Sequence, residues 1–463
     1  MTETLSNINN SHDFHPPIVK LNFLNKYSCA VLLLSMLSCH SNNQSDNSLV
    51  TIDVENNLRN MQVIELSSFT DDIRYVPLET NEDHLISYII HYDISRDLIL
   101  VSDMSVCLLY STDGHFISKV GNIGRGPGEY PYVTNVNLGK SGEIYLSDLK
   151  NLYEYRSDGL LINKYSNILF NDSCYLSTWI LLGDSLLFGH VPNNSGLEVN
   201  KALIIDKSGH IKHTYKNYIL FKRDYEIASS MENHANISMF NNKIFYKGLF
   251  NDTLFYLSAE KELLPRYAFL PGKYKVSEEA RKVVGMEKFE KFERSIFLYN
   301  VFQTSDYLFL DFDFRTNFPA KRLTQKKPPA ALSGFQNLDQ YGLYNTRHVL
   351  GIYDKISGSL IFCKPTSTDN PLFTSGLYND IDGGPRFFPK KQINDSTMVM
   401  WVNAAELKAH VASDDFRNNV PKYPDKKQKL EELANKLSVT DNPVLMFVTF
   451  KKQIPENDRK TKN

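Results

Sequence analysis

Two short segments carry residues whose types and spacing could do chemistry. The first is Asp380-Ile-Asp382-Gly-Gly-Pro-Arg386, where two carboxylates stand beside flexible glycines as in a calcium loop or a substrate clamp. It lacks the later ligands and terminal glutamate of an EF-hand loop, so that motif is excluded. The competing expectation is a turn in which Asp380 and Asp382 cap backbone amides, and this is preferred. Arg386 would pair with a carboxylate or sugar acid if the loop stood at a channel mouth. The second segment is Gly121-Asn-Ile-Gly-Arg-Gly-Pro-Gly-Glu-Tyr130, where Arg125 and Glu129 could touch a ligand. The preferred expectation is that Glu129 binds backbone amides and Tyr130 packs between structural units.

Metal and nucleophile signals are weak. The twelve histidines are scattered, with His84, His91, His115 and His190 near the ends of apolar runs. No His-x-His or His-Glu-x-x-His pair occurs, and there is no G-x-S-x-G elbow, P-loop or dinucleotide fingerprint. No cofactor is therefore expected, calcium at Asp380 and Asp382 being the one candidate. Binding is expected ahead of catalysis.

The elements that must position these residues repeat along the chain. Asp97–Val101, Val106–Tyr110 and His115–Val120 form one set of strands, with a Ser111-Thr-Asp-Gly114 turn between the last two. The same pattern returns at Gly142–Ile162, Asp184–His213, Asn242–Phe269, Asp306–Phe362 and Asp395–Val448. One four-stranded antiparallel sheet cannot bury both of its faces alone. Six such sheets packed radially can, which predicts an all-β fold, a six-bladed β-propeller with short helical insertions. Ring closure would need a strand from the N-terminal side, either Val63–Leu66 or Ile73–Leu78, beside Val444–Thr449. Helices are expected at 277–294, with Ser277 as N-cap, and at Lys426–Leu437. Lys321–Pro329 reads as a basic, solvated loop.

Composition agrees: 42% apolar and 12% aromatic residues, mostly Tyr and Phe, suit strands. A formal net charge of -2 argues against a nucleic-acid partner. Five cysteines include Cys29 and Cys39 near the N-terminus. For Cys107, Cys174 and Cys363, three buried thiols are expected ahead of a disulfide.

The N-terminus predicts an address. Lys20 and Lys26 precede the short apolar run Ala30–Leu37, as in a signal peptide. Met36-Leu-Ser-Cys39 resembles a bacterial lipobox, with Met36 where leucine is commonest, which implies lipidation of Cys39. An ordinary signal peptide is the alternative. The expected organisation is 1–39 export signal, 40–60 polar linker, 61–455 propeller and 456–463 polar tail.

The corner Gly124–Tyr130 followed by Gly142-Glu-Ile-Tyr-Leu-Ser-Asp148 resembles an NHL-type repeat. With Asn251–Tyr256, Tyr353-Asp-Lys355, Asn379–Pro385 and a helix before Asn442-Pro-Val-Leu445, the chain looks like the six-bladed propeller lipoproteins of gut Bacteroidetes. That resemblance implies a lipid-anchored envelope protein and no assigned reaction. The acidic cluster common after the lipidated cysteine in surface-exposed members is reduced here to Asp46, so periplasmic and surface orientations both stay open. The expected function is a module that binds a glycan, a peptide or an envelope protein. The alternatives are a metal-dependent lactonase-like hydrolase or lyase with its site in the channel, and a scaffold of an envelope complex.

Overall fold

Six antiparallel sheets of four strands each follow one another around a ring in a computed structural model of the chain. It describes residues 48–452 except 83, 87, 104–105, 172–173, 223–229, 283–291, 293, 316–347 and 366–374. The export signal with Cys39, the loop Lys321–Pro329 and the tail 456–463 lie outside the described residues.

Blade 1 is His91–Ile94, Leu98–Ser102, Cys107–Ser111 and Phe116–Lys119. Blade 2 is Asn135–Leu138, Ile144–Ser147, Leu152–Tyr155 and Leu161–Tyr165. Blade 3 is Thr178–Leu182, Leu186–His190, Asn200–Asp206 and Ile211–Lys216. Blade 4 is Ala235–Phe240, Lys243–Gly248, Thr253–Leu257 and Leu263–Leu270. Blade 5 is Phe297–Gln303, Tyr307–Asp313, His348–Asp354 and Leu360–Cys363. Blade 6 is Lys391–Gln392, Thr397–Val402, Val444–Thr449 and, from the far end of the chain, Ile73–Pro77. The first strands of successive blades lie side by side, so they line the central channel.

The apolar runs are nearly continuous because both faces of every sheet are covered. Leu108 packs toward blade 6 with Val399 and Leu445, while its neighbour Leu109 packs toward blade 2 with Val136 and Leu146. Equivalent clusters fill the remaining gaps, for example Leu187 with Leu152, and Leu310 with Leu254. Blades 1 to 4 share a register shift between their third and fourth strands, where one residue of the fourth strand (Ile117, Ile162, Lys212 and Arg266) is left unpaired. Such a bulge bends the strand and adds twist, which an outward-splaying blade needs.

Of the two closure candidates, Ile73–Pro77 is the strand, antiparallel to Val444–Thr449 with Tyr75 opposite Met446. Val63–Leu66 is not: Leu66 opens a single 3-10 turn, and Glu65 makes one isolated bridge to Tyr378. The sheet-forming chain also begins inside the stretch 40–60 expected as linker. Val50–Asp53 adds a parallel outer strand to blade 4, and Met61–Gln62 adds one to blade 5. A strand needs only one free edge to pair, and the four-residue run Val50-Thr-Ile-Asp53 is too short to give a pattern to read. Residues 50–77 thus form a belt along blades 4, 5 and 6.

Ser277 Oγ accepts the Ala280 amide as an N-cap, and helix Glu278–Lys282 follows; 283–291 lie outside the described residues. The expected helix near the C-terminus is Pro424–Lys436, burying Leu430 and Ala434. Helices Ala404–Val411 and Asp414–Asn418 accompany it. Cys107 and Cys363 are buried free thiols.

Candidate functional site

Up-and-down strands give the two ends of the ring different characters. In each blade, the turns joining strands one to two and three to four fall at one end. The connections joining strands two to three, and one blade to the next, fall at the other. The first end has tight turns such as Ser111–Gly114 and Arg156–Gly159. The second receives the long connections: 191–199, 217–234, 271–296, 314–347, 364–390 and the helices between Val402 and Val444. Loops gathered on a rigid ring are where binding residues are usually placed.

A polar cluster sits at this long-connection end, across the inner strands of blades 4 and 5. Asp311, only 3% exposed, accepts His348 Nδ1 at 2.5 Å and Asn300 Nδ2 at 2.9 Å. Burial raises its pKa, but the charge and hydrogen bond of His348, with Lys390 and Asn300, outweigh that and hold it down at about 2. Asp311 is therefore a carboxylate, and His348 Nδ1 is the donor. His234, from the connection entering blade 4, places Nε2 3.2 Å from the Tyr299 carbonyl. The Tyr299 ring lies between the two imidazoles, its centroid 5.0 Å from His234 and 5.2 Å from His348. Burial pushes the Tyr299 hydroxyl up to about 12 and lowers the pKa of His234.

Two buried cations frame the cluster. Lys247, 1% exposed, donates Nζ to the Leu298 carbonyl at 2.9 Å and so bolts blade 4 to blade 5. Burial lowers its pKa to about 8. Arg315 closes the end of the second strand of blade 5, with Nε 3.5 Å from Asp313 and a left-handed φ of 47°. A non-glycine residue there is strained by about 1–3 kcal/mol, so its surroundings must hold it in place.

With Nδ1 committed to Asp311, Nε2 is the ring atom left to meet a ligand, as a donor when the imidazole is protonated and as an acceptor when it is neutral. In its neutral form the pair can accept a hydrogen bond from a ligand or take a proton from one. Among the described residues, no group of three His, Cys, Asp or Glu is placed to hold a metal.

The residues singled out from sequence lie elsewhere. Asp380 accepts Ser67 N at 3.0 Å and Ser67 Oγ at 2.6 Å, and pairs with Lys422 at 3.0 Å. Asp382, 2% exposed, accepts Asn379 Nδ2 at 2.6 Å, Gly384 N at 2.8 Å and Tyr75 Oη at 3.3 Å. Burial raises the Asp382 pKa. Gly383, at φ 76°, makes the turn. Both carboxylates thus tie the connection between blades 5 and 6 to the N-terminal belt. Arg386 lies over the Tyr378 ring at 5.3 Å, with Nη1 3.5 Å from the Gly376 carbonyl.

In the glycine corner between blades 1 and 2, Glu129 Oε2 accepts the Gly126 amide at 2.7 Å. Tyr130 is fully buried and donates to the Val120 carbonyl at 2.9 Å, while Arg125 is exposed. Of the four histidines, His190 is buried and His91 half-buried, and desolvation lowers each to about 4. His84 stacks on Phe116 at 3.9 Å and His115 stands 3.6 Å from Glu79, away from the channel.

Sequence reading passed over Asp311, His348, His234 and Asn300. A signal was present: Tyr307-Leu-Phe-Leu-Asp-Phe-Asp313 puts two acids at alternate positions in an otherwise apolar strand. Alternate positions share one face, and a buried acid needs a partner.

A family model described as "Domain of unknown function (DUF4934)" matches residues 49–449. The chain belongs to that family. No curated protein matches it. Among solved structures, a protein described as exported, from Bacteroides fragilis, is similar over 88% of this chain and all of its own. Its TM-score is 0.60 at 16% identity, which supports the propeller fold. A member of the DUF4221 family from Bacteroides vulgatus aligns over 83% of this chain and 98% of its own, at 11% identity and a TM-score of 0.43. Among the described residues, no helix is long and apolar enough to cross a membrane.

Proposed function

We propose that this protein is an exported propeller of the cell envelope, lipid-anchored through Cys39, that binds a glycan or peptide ligand at the long-connection end of its channel. The observation that carries this reading is the polar cluster of His234, Tyr299, Asn300, Asp311 and His348 at the end of the ring from which the longest connections leave. A ligand rich in hydroxyl or amide groups would meet both donors and acceptors there. The lipobox-like Met36–Cys39 and the likeness to a protein described as exported support the address.

Glycan and peptide arrays probed with the full-length protein and with His348→Ala test the site. Binding that survives His348→Ala unchanged overturns this placement. Cys39→Ala is expected to move the protein from the membrane to the soluble fraction, and unchanged membrane association defeats the anchor.

A second reading has one observation in its favour. The Asp311–His348 pair is oriented as a general base, which suits a hydrolase or lyase of the lactonase type. Turnover of lactone or uronide substrates that disappears in both Asp311→Asn and His348→Ala would move this reading ahead.

A further inference from the structure

At the opposite, tight-turn end, a cleft of about 580 Å³ runs outward from the channel mouth between blades 6 and 1. Its inner part is bounded by the first turns of blades 1, 4 and 6, at Ser95, Asn242 and Asn394, and its outer part by Arg74 and Thr112. The volume lies within the range of small-ligand sites, about 300–1,000 Å³. The cleft is remote in the fold from the polar cluster and shares no residue with it.

Charge decides what would fit. Two arginines and two aspartates line the cleft. Asp72 stands 3.6 Å from Lys426, while Asp395, which accepts the Asn241 amide at 2.8 Å, keeps its charge and is an acceptor for ligand hydroxyls. Arg74 is held in place, donating Nη1 to the Thr112 carbonyl at 2.9 Å and lying 4.5 Å over the Phe447 ring. Its Nη1 also stands 3.5 Å from Asp113 Oδ1, so its charge is already shared with that carboxylate. Arg96 is exposed and has no hydrogen-bond or ion-pair partner among the described residues. Guanidinium forks match the paired oxygens of carboxylate, sulfate and phosphate. Around them, the hydroxyls of Thr112 and Thr397 and the amides of Asn242 and Asn394 suit ligand hydroxyls.

We infer that this cleft is a second binding site, for an acidic saccharide: hydroxylated rings bearing carboxylate or sulfate groups, with Arg96 on the anionic group and Asp395 accepting from the ring hydroxyls.

Calorimetric titration of the full-length protein with trigalacturonate, a neutral galactotriose and inorganic phosphate tests this. The acidic trisaccharide is expected to bind at least about tenfold more tightly than the neutral one, the difference made by a charge-assisted contact. Arg96→Ala should weaken it by about tenfold or more, and Arg96→Lys by less, both with an unchanged melting temperature. His348→Ala, at the other end, should leave this affinity untouched. Absence of binding, equal affinity for the acidic and neutral sugars, or indifference to Arg96→Ala overturns the site. Phosphate binding as tightly as the acidic sugar would overturn the saccharide claim, because only an anion would then be recognised. Loss of this affinity in His348→Ala would place the ligand at the other end and overturn it too.

Discussion

Asp311→Asn keeps the shape of the side chain and removes the charge that orients His348. The folded carboxyl lies at about 2 against an ordinary 3.8. A depressed value of that kind adds stability that is present above about pH 4 and lost as pH falls through 2. The contribution is about 2 kcal/mol. Chemical denaturation should therefore show wild type ahead of Asp311→Asn by about that amount at pH 6, with the gap closing toward pH 2. His190 sets a different window. It sits between the Tyr246 hydroxyl at 2.9 Å and the Glu232 carbonyl at 2.8 Å, and burial lowers its pKa from 6.5 to about 4. The unfolded chain takes up this proton first as pH falls. Stability is thus full above about 6.5 and declines by about 3 kcal/mol on the way to 4. His190→Gln should flatten that decline, and an unchanged slope would assign it to other groups.

The elements show what a single chain reveals and what it hides. The six repeats were legible because each blade spells the same sequence of apolar run, turn and apolar run, as in Asp97–Val120 and Asp184–His213. The C-terminal helix was legible from Leu430, Leu433, Ala434 and Leu437 at helical spacing. The outer strands Val50–Asp53 and Met61–Gln62 were not, since two to four residues are too short for a period to appear. The Asp311–His348 pair was hidden for another reason. Its partners come from adjacent strands joined by the long connection 314–347, so nothing in their spacing marks them. Conversely, a ligand set stayed open beside the preferred turn at Asp380 and Asp382, because partners such as Ser67 and Tyr75 are remote in sequence.

Two substitutions test the elements. Gly114, at φ 88°, turns between the third and fourth strands of blade 1, and a Cβ there would lie 2.2 Å from the Pro77 carbonyl oxygen. Gly114→Ala should cost about 2 kcal/mol or more, read as a lowered denaturation midpoint. Leu430→Ala removes a side chain buried between the helices and blade 6, and should cost about 3 kcal/mol. A loss below about 1 kcal/mol would show that the helix does not seal that part of the core.

Across the whole molecule, the ring depends on residues 50–77 in two separable ways. Val50–Asp53 and Met61–Gln62 cover outer edges of blades 4 and 5, while Ile73–Pro77 completes blade 6. A chain lacking residues up to 62 should still close, melt at a lower temperature and scatter light on standing, because two sheet edges are bared. A chain lacking residues up to 77 should fail to form a cooperative fold. If both truncations melt alike, the closing strand is not what joins the first blade to the last.

That same belt sets an order of events during synthesis. Tyr75 leaves the ribosome early, and Met446, which it faces in the closed sheet, leaves near the end. At about 5–20 residues per second the wait is on the order of tens of seconds. Through that interval the nascent chain carries unsealed strand edges and cannot lock. A protein bound for export in an unfolded state would be kept threadable by this delay, and its ring would shut only once the last strand had arrived.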